Sequence, residues 1–222
     1  YALRRVAIGV IRLIIENKVN LKVKELINYS FLLYEEQGFK LNNTEAKKDL
    51  QKFLIDRLRY FMKEKDIRND VVEASINTYG IESLVQCYEK AVAFNKIINK
   101  DIGLDIIASY KRASNILDVE IKKIDTDLSN DADPGLFKND YEKNLYKKIH
   151  DIRKYFININ NDESYDKTLS HLSSAKSTIF EFFDNVIVND KDQSIKKNRL
   201  ELIQMFCKTF DNYISFSKIE SI

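Results

Sequence analysis

Three observations predict an all-α fold for this chain of 222 residues. Apolar residues recur at helical spacing along most of its length. One proline and five glycines are too few for the dense turns of a β-sandwich or barrel. No run shows the strict alternation of a half-buried strand, and nothing repeats with a period of about 20–50 residues. A hydrophobic content of 44% supports a sizeable core and argues against disorder.

The first helix is predicted over Tyr1–Glu16 and is apolar around most of its circumference. Leu3, Ala7, Val10 and Ile14 form one stripe, with Ile8, Ile11 and Ile15 beside it. Such a helix is expected to be buried on several sides. Arg4 falls within the second stripe and is expected to meet an internal partner. A second helix is predicted from about Leu21 to Glu36, closed by Gly38. Asn42-Asn43-Thr44 offers N-caps for a third, from Glu45 to Glu64. Its stripe of Leu50, Leu54, Arg57 and Phe61 places Arg57 in a buried ion pair and leaves Arg59 facing outward. Asp70-x-x-Glu73 opens a short helix ending at Gly80, and Ile81–Lys96 continues as another. Asn99–Gly103 is a break, so the chain is divided at 98/99.

The stretch Asp105–Asp118 organises the second part. Ile106, Tyr110, Ala113 and Leu117 make an apolar stripe, and Lys111, Arg112 and Asn115 lie on the far side. Arg112 has no acid within the usual three or four positions on its own helix. Asp125–Pro134 is a connecting loop. Tyr141, Leu145, Ile149, Ile152 and Phe156 mark the next helix. Tyr165, Leu169, Leu172, Ile179 and Phe183 mark one more, with Phe183 facing inward. The last is predicted over Gln193–Ser217, with Ile203, Phe206, Phe210 and Tyr213 inside. Lys196, Lys197 and Asn198 fall at the start of this helix, where the dipole favours a phosphate. Arg199 lies on the apolar stripe, where an ion pair is as reasonable as an RNA contact.

With 36 basic and 34 acidic residues, no global basic field points to nucleic acid, so any such site must be local. DNA is not an expected partner. Cys87 and Cys207 sit in apolar helical patterns and are expected to be buried, reduced thiols of a cytoplasmic protein. The Val6–Ile15 run is too short to span a membrane. His150 and His171 lack partners at metal-ligand spacing, and no glycine-rich phosphate loop is present. No metal, no cofactor and no catalytic residue is assigned.

Several segments carry a family resemblance. Lys111-Arg112-x-x-Asn115-Ile116-Leu117 resembles a motif near the C-terminus of the β subunit of bacterial glycyl-tRNA synthetase. Ala2-Leu3-Arg4-Arg5 and Phe53-Leu54-Ile55-Asp56-Arg57-Leu58-Arg59 resemble earlier segments of the same subunit. So do Phe182-Phe183-Asp184-x-Val186-x-Val188 and Asn198-Arg199-Leu200-x-Leu202, although Thr178-Ile179 stands where the family has Pro-Val. The resemblance implies a piece of a longer protein, with a helical body at 1–98 and a DALR-type anticodon-binding domain at 99–222. It also implies a tRNA(Gly) ligand and an α subunit in an α2β2 assembly. ATP would be used by the whole enzyme, whose adenylating class II site lies in the α subunit. Lys111, Arg112, Asn115, Lys196, Lys197, Asn198 and Arg199 are the candidate tRNA-binding residues, because cations meet phosphates and amide or planar groups meet splayed bases. The alternative is a helical scaffold that braces the rest of the subunit or its partner.

Overall fold

The computed structural model describes residues 2–39, 43–79, 82–123, 128, 131–158 and 165–220. These form α-helices with no strand among them, as the periodicity requires. They gather into two compact units, residues 1–95 and 96–222. No helix among the described residues is long and apolar enough to cross a membrane.

The first unit holds α1 (Ala2–Glu16), α2 (Val23–Glu36), α3 (Asn43–Lys63), α4 (Asn69–Tyr79) and α5 (Leu84–Asn95). Helix α3 packs on α1, α2 and α4, and α5 packs on α1 and α4. Gly38 follows α2 with φ +85, a conformation that favours glycine. Asn42 and Gly80, expected at helix ends, lie outside the described residues.

Helix α1 departs from its expected burial. Ala7, Ile11, Ile14 and Ile15 face the core, while Leu3, Val6 and Leu13 stand 66%, 61% and 63% exposed and Val10 is exposed beside them. Positions 3, 6, 10 and 13 share one helical face, so this helix has two apolar faces and the unit covers only one. Arg4 is exposed rather than internally paired. Two further arginines trade places with expectation. Arg57 lies over the Phe53 ring at 5.6 Å and its buried Nε finds no hydrogen-bond partner among the described residues. Arg59 instead makes a two-pronged contact with Glu73 at 2.8 and 3.1 Å and a third bond to Asp56.

The second unit holds α6 (Asp101–Ile121), α7 (Asp140–Asn158), α8 (Tyr165–Ser173), α9 (Lys176–Asn185) and α10 (Gln193–Asp211). Helix α6 packs against α8, α9 and α10, and α7 packs against the same three. The stripe Ile106, Tyr110, Ala113 and Leu117 is buried as its spacing predicts, as are Ile203, Phe206 and Phe210 of α10. Gly103 lies inside α6 rather than in a break. A Cβ there would stand 2.2 Å from the Ile97 carbonyl oxygen, so glycine is required for the preceding turn to pass.

The helix expected over 165–183 is two helices. Ser174 and Ala175 form a turn between α8 and α9, with Ser174 Oγ donating to the His171 carbonyl at 2.6 Å. A serine hydroxyl that takes a backbone carbonyl competes with helix continuation. The break resets the phase of α9, so Phe182 is fully buried and Phe183 only half-buried. Helix α10 also ends sooner than expected. Asp211 accepts from the Phe216 backbone N–H at 2.9 Å and from the Tyr110 hydroxyl at 3.1 Å. This clip folds the tail back so that Tyr213, Ile214, Phe216 and Ile219 are buried.

Candidate functional site

Helix α6 supplies the centre of the site. Its buried stripe fixes the helix rotation, and that rotation turns Lys111 and Asn115 outward on one face. Asn115 is exposed and Lys111 half-buried, and neither side chain has a partner among the described residues. Both are therefore available to a ligand. Lys111 offers a charge and Asn115 an amide that can donate and accept.

Arg112 has a different setting. Its guanidinium lies over the rings of Phe180 and Phe183, with Cζ 4.7 and 5.2 Å from their centroids. Nη2 donates to Asp184 Oδ1 at 2.6 Å. The partner missing on its own helix comes from α9, so Arg112 is not the free cation expected. Of the acids on its own helix, Asp105 is taken by Lys176 at 2.6 Å. Phe180, Phe183 and Asp184 belong to the site, yet no spacing within α6 could reveal them, because they come from a helix 72 residues away.

The start of α10 is corrected more fully. The expectation of a wet face at residues 196–198 fails for Lys196 and Asn198, and Arg199 takes the ion-pair alternative. Lys196, Asn198 and Arg199 are buried. Lys196 Nζ stands 3.1 Å from Glu120 on the last turn of α6. The hydrogen bond from Lys123, joined by Lys196, holds the Glu120 carboxyl below its ordinary range despite burial. Asn198 accepts from the Asp133 backbone N–H at 2.6 Å and donates to the Asp133 carbonyl at 3.0 Å. That pairing ties the 131–134 connection to α10. Arg199 donates to Glu142, to Asp190 at 2.7 Å and to the Ile187 carbonyl at 2.8 Å. Lys197 alone stays partly open, 3.8 Å from Glu201. The physical reason is shared: α10 is enclosed along most of its circumference, so the polar groups of its N-terminal half serve as internal bonds.

One sequence signal for this network was present. Asn139-x-x-Glu142 has capping-box spacing, and the reciprocal bonds form. Glu142 N–H donates to Asn139 Oδ1 and Asn139 N–H to Glu142 Oε2, both at 3.0 Å. A nearby acid fixed at a helix start is what Arg199 requires. Among the described residues, no group of three or more His, Cys, Asp or Glu is placed to hold a metal ion.

Two family models match separate parts of the chain. Residues 1–77 match the family model described as glycyl-tRNA synthetase beta subunit, and residues 106–221 match the DALR anticodon binding domain. The chain is 36% identical over 219 residues to the glycine–tRNA ligase beta subunit of Rickettsia africae, covering 99% of this chain and 31% of that protein. Likeness to the same subunit of Rickettsia typhi is 35%, and of Rickettsia prowazekii 34%, both over 219 residues and 99% of this chain. The chain spans 31% of the first relative and 30% of the last.

Proposed function

We infer, for a chain that belongs to the glycyl-tRNA synthetase β-subunit family and carries a DALR anticodon binding domain at residues 106–221, that it binds the anticodon arm of tRNA(Gly). The observation that supports this most directly is the outward pair Lys111 and Asn115, without side-chain partners among the described residues, on a helix whose other side is locked into the core. Anticodon bases are unstacked loop bases, and an amide beside a cation suits a base edge beside its phosphate. Chemistry belongs, on this reading, to an assembled enzyme that joins glycine to tRNA(Gly) with ATP. The adenylating site would lie in an α subunit of an α2β2 complex in the cytoplasm. This chain would position the tRNA.

The test is a salt series of binding titrations with tRNA(Gly) and a non-cognate tRNA. Lys111→Ala should weaken both and flatten the salt dependence by about one unit. Asn115→Ala should weaken the cognate complex with the slope unchanged, because an amide reads bases rather than releasing counterions. Parent affinity and slope in both variants would sink the assignment.

A second reading applies to the first unit and rests on the α1 stripe. Contiguous exposed apolar side chains mark a protein contact, so Leu3, Val6, Val10 and Leu13 would brace another part of the synthetase. The occupant we assign is the further polypeptide that makes the relatives over three times this chain's length. Leu13→Glu should then abolish capture of that remaining part, expressed separately, while leaving the thermal melt intact. Capture at parent strength would remove this reading.

A further inference from the structure

We propose that Arg112, laid over Phe180 and Phe183, is a stacking platform for one unstacked nucleobase of the bound RNA. This deepens the anticodon-arm reading and depends on it. The guanidinium is planar, and its Cζ lies 4.7 and 5.2 Å from the centroids of the two rings. Asp184 fixes its rotation through the 2.6 Å bond to Nη2. The Arg112 side chain keeps 31% of its surface exposed, so the group is not closed off from a ligand. A base can stack on an arginine plane much as it stacks on an aromatic ring.

Charge decides between a base and a phosphate as the ligand. Asp184 already neutralises Arg112 and is itself 62% exposed. A phosphate arriving here would meet a carboxylate as well as the guanidinium. A neutral, planar base meets no such repulsion. The neighbours complete a nucleotide site on the same helix. Asn115 is three positions on from Arg112, and residues three apart are neighbours on a helical surface. Its amide has no partner among the described residues and is offered, one turn on, to the edge of a stacked base. Lys111, the adjacent residue, carries the uncompensated charge suited to that nucleotide's phosphate. Burial of Ile179 and Phe182 already holds α9 in place. An exposed ion pair adds little to such a junction, so a purely structural clamp accounts poorly for the rings and acid gathered here.

The test uses the full chain and tRNA(Gly) anticodon stem-loops carrying 2-aminopurine at each loop position in turn. The parent chain should quench fluorescence strongly at one position. Arg112→Lys keeps the charge and loses the plane. It should abolish that quench and weaken binding about tenfold or more, with an unchanged salt slope. Phe180→Leu removes support from beneath the plane and should act in the same direction, which covers the case in which Arg112→Lys does not fold. A matching thermal melt identifies a folded variant. Parent affinity and quench in the folded variants would overturn the platform, leaving a structural clamp only. A slope flattened by about one unit in the charge-removing Arg112→Gln would also overturn it, in favour of a phosphate contact. Binding by the parent without a quench at any position defeats this inference and spares the anticodon-arm reading. No binding by the parent defeats both.

Discussion

Arg199 Nε donates to Glu142 Oε1 across 57 residues of sequence, with the two side chains 7% and 1% exposed. The same carboxylate accepts from the Lys138 and Asn139 backbone N–H groups, so one residue both caps α7 and anchors α10. Arg199→Met strips a buried anion of its cation and is expected to cost roughly 3–5 kcal/mol. Glu142→Gln keeps an oxygen for the cap and leaves Asp190 opposite Arg199, so it should cost less. Chemical denaturation of both variants gives the order, and equal losses would contradict it.

Phe182 and Phe183 are neighbours in sequence with different tasks. Phe182→Ala opens a cavity in the second unit and should cost about 3–5 kcal/mol. Phe183 is half-buried against Arg112, so Phe183→Ala should cost clearly less. A reversed order of denaturation midpoints would show that the phase of α9 is wrong.

Two glycines should respond oppositely to the same change. At Gly103 a methyl group would meet Ile97 and Ile98 backbone atoms at 2.2 to 2.8 Å. Those atoms cannot rotate away, and strain of about 1–3 kcal/mol exceeds the gain in helix propensity of about 1 kcal/mol. At Gly9, inside α1, nothing lies within 4 Å of the added carbon. Gly9→Ala should therefore stabilise by about 0.5–1 kcal/mol. Thermal melts of the pair check the two signs.

Lys90 supplies a pH dependence. Burial pushes its ammonium down from 10.5 to about 8, partly opposed by Cys87. Between those values the unfolded chain holds more protons than the folded one, so this residue makes stability rise with pH across that window. Below it the folded state carries the full cost of a buried charge. Lys90→Met should raise stability near pH 7 by on the order of 3 kcal/mol, and the gain should fade towards pH 10.5. Denaturation midpoints of parent and variant across that range would refute this if the difference stayed constant.

Periodicity located the helices because burial of one face is a local property that repeats every 3.6 residues. The α6 stripe is the clearest case. What it could not locate was the division at Ser174, since a hydroxyl that takes a backbone carbonyl leaves no mark on the apolar pattern. The phase error at Phe183 follows from that one turn. On the candidate site, Lys111 and Asn115 were legible because their availability depends only on the rotation of their own helix. The state of Arg112 depends on Asp184 of α9, and those of Lys196, Asn198 and Arg199 on Glu120, Asp133 and Glu142. These partners are distant in sequence, and polar residues on a helix of unknown enclosure look the same whether paired or wet. The two apolar faces of α1 show the converse, because hydrophobicity marks a face for burial without saying which surface will cover it.

Cys87 and Cys207 are free thiols, both buried, and they fall one in each compact unit. Burial pushes Cys87 up to about 12 and Cys207 higher still. Thiolate is the form that alkylates, so both should be silent to alkylating reagents while their surroundings hold. Each half therefore carries one native clock. Its labelling rate counts how often that half opens, and comparing the two rates tells whether the halves open together or independently.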